Sequence, residues 1–320
     1  MYVLSTPIRR GLSIRLCVAI LVSMLMGQLP TLAYAGNQPF SNSNFATKEG
    51  LKIHYRLWEP AEKEVRGNML MVHGFAGSSF SWEQVADSLL QLGYRTVAVD
   101  VPPFGFSDRA PRQNQSVGFR AALLNTLLEE IGPGQRWHLS GHSMGGAIVQ
   151  AMALLEPGRF VSVNLVGAAL FDTLSPGRRP FPVAFNLPGL TTFVGSVAES
   201  WVLTPGRIES FLASAYGQSP TADQTQAYVK TLSVPGTARA ILNGPRFSRE
   251  IQSLYAGNLI VPAIAIWGEA DAWVPLQSRK HILEKMPTVQ LVVMPGVGHN
   301  PMETHFYEYM EIYLAFLNNL

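Results

Sequence analysis

Cysteine is nearly missing: Cys17 is the single one in 320 residues. A chain with one thiol forms no internal disulfide and offers no thiolate metal cage. Charge is also sparse, at 14% of residues, and neither sign dominates, with a formal net charge of +2. That balance lacks the basic excess with which nucleic-acid binders meet phosphate, so no nucleic-acid partner is expected. No H-E-x-x-H and no G-x-G-x-x-G occurs, so neither a metal nor an organic cofactor is implied. Internal repeats and low-complexity tracts are absent too. What remains is a chain 47% hydrophobic, long enough for one sizeable globular domain with an inserted subdomain.

The basic residues are unevenly placed. Arg9, Arg10 and Arg15 are the only charged residues before Gly36, which leaves 21 basic and 22 acidic side chains in the remainder. They precede the apolar run Leu16–Met26, and Ala33-Tyr34-Ala35 supplies small residues at both positions a signal peptidase reads. The run is too short to span a bilayer comfortably. Residues 1–35 therefore read as a signal peptide for export to a periplasmic or extracellular space, with an uncleaved N-terminal anchor as the alternative. Arg9-Arg10 fits a twin-arginine signal poorly, and Cys17 lacks the small preceding residues of a lipoprotein site. Removal of the segment leaves a mature protein with no cysteine.

Beyond it, strands and helices alternate. Phe45–Pro60 reads as two strands around Glu49-Gly50, Asn68–Val72 as a strand covered on both faces, and Tyr94–Val101 as another. Ser81 with Gln84 suggests a capping box opening a helix that Gly93 closes, and a second helix is expected over Ser116–Ile131. Strands follow at Trp137–Ser140, Val161–Leu170, Ile260–Trp267 and Val289–Met294, with helices from Gly146 to Leu155, at Leu276–Lys285 and at Glu303–Asn319. This rhythm predicts an α/β fold with a mostly parallel central sheet and helices on both faces. It breaks between Asp172 and Gly257, where Pro, Phe, Leu and Ala are abundant and helical pieces fall near Thr191–Leu203, Ile208–Ala215, Asp223–Leu232 and Ala238–Leu242. The expected organisation is a core of 36–171 and 258–320, interrupted by a helical cap at 172–257. The cap's apolar content suits either ordinary packing or the lining of a hydrophobic substrate site.

The chemistry centres on Trp137–Ala147, WHLSGHSMGGA. G-x-S-x-G between a strand and a small-residue helix is a nucleophile elbow, with Ser143 projecting from a strained turn. Gly141 and Gly145 are required there because a Cβ would collide with neighbouring backbone. Serine needs a base, and the base an orienting acid. In this sheet type they follow in the order Ser, Asp or Glu, His, just beyond the C-terminal ends of strands. Asp271 in Gly268-Glu269-Ala270-Asp271 and His299 in Gly296-Val297-Gly298-His299 stand where that order requires. Asp172 is the reserve acid, and Glu269 competes from two residues away. His138 and His281 read as structural, His305 as exposed, His142 as support for the turn, and His73 as the holder of the oxyanion loop. Two backbone N–H groups, those of Phe75 and Met144, are expected to form the oxyanion hole, leaving both side chains free to line the acyl pocket. Trp82 and Phe104 are further candidates for that pocket, with core packing as the alternative.

Five motifs carry a resemblance: His73-Gly74, D-x-P-x-x-G-x-S from Asp100 to Ser107, GHSMGG from Gly141 to Gly146, WGEAD from Trp267 to Asp271, and GHNPMET from Gly298 to Thr304. Together they span Leu51 to the C-terminus. In that order they resemble the α/β-hydrolase superfamily, in its cap-bearing, esterase- and lipase-like serine hydrolase branch. The resemblance implies loop-shaping roles for Asp100 and Ser107. Members with dehalogenase or epoxide-hydrolase chemistry carry Asp at the elbow, where this chain has Ser143.

The implied activity is hydrolysis of carboxylic esters of apolar acyl groups. The alternatives are the same triad acting on another bond, as a C–C hydrolase, proline aminopeptidase or perhydrolase, and a non-catalytic binding protein on the same scaffold. The expected partner is a small apolar ester, with contact between an apolar cap and a lipid surface as a further expectation. Mass spectrometry of the exported protein should find a chain beginning at Gly36, and a retained residue 1–35 segment would overturn the cleavage assignment.

Overall fold

The computed structural model describes residues 38–61, 64–110, 113–176, 204–250 and 252–320. The expected signal peptide, residues 1–35, and the expected helical piece at Thr191–Leu203 lie outside the described residues.

Eight strands form the main sheet: β1 (Ser43–Lys48), β2 (Leu51–Trp58), β3 (Gly67–Val72), β4 (Tyr94–Val99), β5 (Trp137–His142), β6 (Phe160–Val166), β9 (Ala263–Gly268) and β10 (Val289–Met294). Their order is β1-β2-β4-β3-β5-β6-β9-β10. β2 is antiparallel to both β1 and β4, whereas every pairing from β4 to β10 is parallel. The remaining two strands, β7 (Thr173–Leu174) and β8 (Leu254–Tyr255), form a separate antiparallel ribbon.

Alternation along the parallel strands sends side chains to opposite faces. Leu70, Val72, Leu139, Val163 and Leu165 meet α2 (Val117–Ile131), α3 (Met144–Leu155) and α7 (Leu276–Leu283). Met69, Met71, Ala98, Ile264 and Ile266 meet α1 (Glu83–Gln91) and α9 (Phe306–Leu317) on the other face. Both faces are covered, as the continuous apolar runs of β3 and β9 require. The α/β class, the mostly parallel sheet and the helices on both faces agree with the expectation from sequence.

Several boundaries differ. Ser81 does not cap a helix. A 3-10 turn, Ser79–Trp82, precedes α1, and its capping oxygen comes from Ser78, which accepts from the Phe80 N–H. The Asp100 carboxylate explains this, since it accepts the Ser79 N–H at 2.6 Å and draws the turn toward β4. β4 ends two residues early, at Val99, and β6 ends at Val166 before Gly167, whose φ of 46° stops an extended strand. The expected last helix is broken at His305 into α8 (Pro301–Thr304) and α9. The helix after the elbow starts at Met144, so that Ser143 alone makes the turn.

The segment between β6 and β9 holds α4 (Pro205–Tyr216), α5 (Ala222–Leu232) and α6 (Thr237–Phe247), near three of the four helical pieces expected there. The β7–β8 ribbon brings its two ends together, with the Ala256 N–H donating to the Asp172 carbonyl at 2.8 Å. Ile208, Leu212, Ala215 and Tyr216 of α4 pack with Tyr228 and Leu232 of α5 against Ala76 and Phe104 of the core.

At the other end of the sheet a buried polar joint ties β2 to the loop after β4. Asp100 accepts from His54 Nδ1 at 2.7 Å and from the Phe106 N–H at 2.8 Å, in addition to Ser79. Ser107 Oγ donates to the Asp100 carbonyl and accepts the His54 N–H. Burial pushes the Asp100 carboxyl up, but the adjacent His54 and the donated hydrogen bonds outweigh it and hold it down at about 2. A carboxylate depressed on folding stabilises the fold above its unfolded pKa and loses that contribution as pH falls through the folded value. Asp100→Asn should therefore cost about 2 kcal/mol at pH 7. In urea unfolding its deficit against wild type should narrow between pH 5 and pH 3, and a deficit independent of pH would exclude this account.

Backbone crowding at the elbow gives a second test. A Cβ on Gly145 would stand 2.2 Å from the Val72 carbonyl oxygen, whereas one on Gly158 would meet nothing within 4 Å. Gly145→Ala should destabilise by roughly 1–3 kcal/mol and Gly158→Ala by less than about 0.5 kcal/mol. Equal urea midpoints for the two variants would contradict the crowding argument.

Candidate active site

Three loops at the C-terminal ends of parallel strands build the site, where crevices of such sheets hold ligands. The first is the β5–α3 turn. Ser143 has φ 50° and ψ −116°, a conformation that costs a non-glycine residue on the order of 1–3 kcal/mol. The neighbours hold it there: the Ser143 N–H donates to the Val166 carbonyl at 2.9 Å, and its carbonyl accepts from Gly146 and Ala169. Met144 opens α3, so its N–H has no intrahelical acceptor and points with the helix dipole toward the turn.

The second loop follows β9. Asp271 is 4% exposed. Its Oδ1 accepts the N–H groups of Trp273 and Val274, both at 2.9 Å, which aims Oδ2 at the third loop. That loop follows β10 and carries His299, whose Nδ1 lies 2.7 Å from Asp271 Oδ2. A carboxylate accepts, so Nδ1 carries the proton and Nε2 keeps a lone pair. Ser143 and His299 line one cavity with Gly74, Phe75, His142 and Asn300 of the core, Phe211, Leu212, Ala215 and Tyr228 of the inserted helices, and Trp273. The structure thus pairs Asp271 with His299 and places His299 and Ser143 on one cavity, with no hydrogen bond between Ser143 and His299 Nε2.

The competing groups are engaged elsewhere. Asp172 pairs with Lys285 Nζ at 2.7 Å in a half-exposed ion pair. Glu269 accepts the Gly296 N–H. His73 Nδ1 donates to the Gly74 carbonyl at 2.7 Å and its Nε2 accepts the Val101 N–H at 2.9 Å, tying the loop after β3 to the loop after β4. Burial lowers its pKa despite nearby Asp100. His138 bonds Ser162 Oγ, and burial pushes it down to about 4. His142 donates from Nε2 to the His299 carbonyl at 3.0 Å, so it supports the third loop as well as the turn it belongs to. Burial and the neighbouring His299 hold its pKa well below the ordinary histidine range.

Three pocket candidates need correction. Trp82 is fully buried beneath the sheet among Met69, Met71, Val85 and Leu89, as a core residue. Phe104 is 1% exposed and sits edge-on to His73 and Phe75, supporting the loop that carries Phe75 from behind. Met144 does not turn its side chain into the cavity beside Ser143 either; its sulfur lies 3.1 Å from a nitrogen of the buried Arg120. Phe75 does line the cavity, and the residue is 48% exposed.

Sequence reasoning missed the wall opposite Ser143. Trp273 stacks on the His299 ring at 6.0 Å and meets Phe211 edge-on at 4.8 Å. The signal for part of it was present, since Ile208, Phe211, Leu212 and Ala215 recur at the spacing of one helix face. Which face would meet the site was not. Among the described residues no cluster of His, Cys, Asp or Glu side chains could hold a metal ion.

Comparison with known proteins identifies the family. The family described as alpha/beta hydrolase fold matches residues 67–306. Lipase 3 of Moraxella sp. is 24% identical over 258 residues, covering 79% of this chain and 78% of the lipase. The 2-hydroxy-6-oxononadienedioate/2-hydroxy-6-oxononatrienedioate hydrolase 1 of Dechloromonas aromatica is 26% identical over 290 residues, covering 85% of this chain and 93% of that enzyme. Among solved structures, a bacterial membrane phospholipase A shares the fold at a TM-score of 0.68 and 24% identity, with 97% of each chain covered. A match from β3 to the start of α9, around three loops that each stand at the end of a parallel strand, makes this chain a member of the α/β hydrolase fold family and a hydrolase.

Proposed function

We propose that the protein is a serine hydrolase that cleaves carboxylic esters of apolar acyl groups through an acyl-enzyme intermediate. The observation that carries this reading is the 2.7 Å contact from Asp271 to His299 beside a serine held at positive φ on the same cavity. In the proposed reaction His299 Nε2 takes the Ser143 proton as Oγ attacks the ester carbonyl, and Asp271 stabilises the imidazolium. The backbone N–H groups of Phe75 and Met144 hold the oxyanion. Collapse expels the alcohol, which receives the proton from His299. Water, deprotonated by His299, then attacks the acyl-enzyme, and the acid leaves with Ser143 restored.

The apolar wall of Phe75, Phe211, Leu212 and Trp273 supports an apolar acyl group. In this reading 172–257 acts as a cap whose apolar content touches lipid surfaces transiently, and the chain is exported by its N-terminal segment. The second reading, cleavage of a C–C bond in a vinylogous diketone by the same residues, draws support from the Dechloromonas relative.

A fluorophosphonate probe followed by mass spectrometry tests the nucleophile. One adduct on Ser143, lost in Ser143→Ala together with hydrolysis of a p-nitrophenyl ester series, is the expected outcome. A folded wild-type protein that takes no adduct and cleaves no ester would sink the proposal, and turnover of the diketone alone would favour the second reading.

A further inference from the structure

Glu303 lies four residues beyond His299, on α8, and takes no part in the reaction proposed above. Its carboxylate accepts from three side chains: Tyr216 Oη at 2.6 Å on Oε2, then Tyr228 Oη at 2.9 Å and Asn300 Nδ2 at 3.0 Å on Oε1. Gln224 Nε2 donates to its backbone carbonyl at 3.2 Å. The Tyr228 proton goes to the carboxylate, so the 3.0 Å contact between Tyr228 and Ser81 Oγ has serine as donor. Burial pushes both phenols above the ordinary tyrosine range, so both stay protonated donors.

These partners come from different parts of the chain. Tyr216 ends α4, while Gln224 and Tyr228 belong to α5; Asn300 follows His299, and Ser81 lies in the turn before α1. The same two segments also touch through backbone. The His299 N–H donates to the Ala215 carbonyl at 2.8 Å, and a Cβ on Gly298 would stand 2.4 Å from the Tyr216 carbonyl oxygen. The inserted helices that form one wall of the cavity therefore rest directly on the loop that carries His299. Glu303 is the one carboxylate among these groups, and it collects donors from both sides.

We propose that Glu303 is a positioning residue: it clamps the α4–α5 wall onto the His299 loop and so fixes both the imidazole and the cavity opposite Ser143. This rests on the serine hydrolase reading, in which His299 is the base. Removing the carboxylate takes the acceptor from the Tyr216 phenol and the Asn300 amide and leaves Tyr228 only Ser81 Oγ, which loosens the joint from both sides. Tyr216 does not line the cavity beside Ser143, so its hydroxyl acts there through Glu303 and through Tyr228, which it also meets.

The test compares wild type, Glu303→Gln, Tyr216→Phe and the double variant. The readouts are kcat and KM on p-nitrophenyl butyrate, the second-order rate of Ser143 labelling by a fluorophosphonate, and the thermal midpoint. Glu303→Gln should lower kcat/KM on the order of tenfold, with KM raised as well as kcat lowered, and should slow labelling in step. Tyr216→Phe should move both rates the same way by less, and the double variant should be no worse than Glu303→Gln alone. Wild-type kinetics in Glu303→Gln, a lowered midpoint without a kinetic effect, or additive losses in the double variant would each overturn the proposal. If Glu303→Gln does not fold, Tyr216→Phe decides alone: slower labelling supports the clamp and wild-type labelling overturns it. A wild-type protein that is neither labelled nor active removes the serine hydrolase reading itself, an outcome distinct from any variant result.

Discussion

The molecule depends on how closely backbone can pack around a single strained residue. Ser143 stands at positive φ between β5 and α3, and glycines on both sides of it let the first turn of the helix press closely on its neighbours. A Cβ on Gly141 would come within 2.4 Å of the Gly145 carbonyl oxygen, and one on Gly146 within 2.3 Å of Ala168 Cβ. The strain persists because the rest of the fold over-determines the turn: Val166 accepts the Ser143 N–H, and Ala169 and Gly146 donate to its carbonyl. β6, α3 and β5 are thus committed to one another through the residue that the site needs exposed. Their mutual burial of Leu139, Ile148, Val149, Val163 and Leu165 supplies the apolar contact that offsets the strain.

Around that point, two polar joints divide the work of holding loops in place. Asp100 with His54, Ser79 and Ser107 fixes the loop after β4, and through Val101 and His73 it reaches the Gly74–Phe75 segment beside Ser143. Glu303 with Tyr216, Tyr228 and Asn300 joins the inserted helices to the His299 loop on the other side. Both joints are built on a carboxylate that gathers donors from segments distant in sequence. Burying a charge is costly, and the donated hydrogen bonds offset that cost. Their value is geometric, because a carboxylate with several donors has few alternative arrangements.

Much of this could be read before the fold was known. The strand-to-helix junction at Ser143 and the loops that carry Asp271 and His299 follow from local rules: a glycine pattern, an apolar strand, and a turn with a titratable residue beyond it. The helices near Ile208–Ala215 and Asp223–Leu232 were visible from composition and periodicity, and the start of α5 carries a capping box between Thr221 and Gln224. The errors share a cause. Ser81 and Gln84 have the spacing of a cap, yet Asp100, close in space and distant in sequence, takes the Ser79 N–H and moves the helix start. Trp82 has the chemistry of a pocket residue but packs beneath the sheet, since spacing does not say which side of a turn faces the core.

What the sequence by itself determined is the alternation of strands and helices, the interruption after Asp172, and the residue types at the three loop ends, because each is encoded within a few consecutive residues. What only the tertiary structure decided is which groups meet. The pairing of His299 with Asp271 in preference to Asp172, the anchoring of His142 on the His299 carbonyl, and the convergence of Tyr216, Tyr228 and Asn300 on Glu303 all join residues far apart in the chain. Such contacts arise from the order of strands in the sheet and the packing of α4 and α5 on the loops at its end. No local pattern carries that information, since the same side chains at the same spacing would satisfy several packings until the sheet selects one.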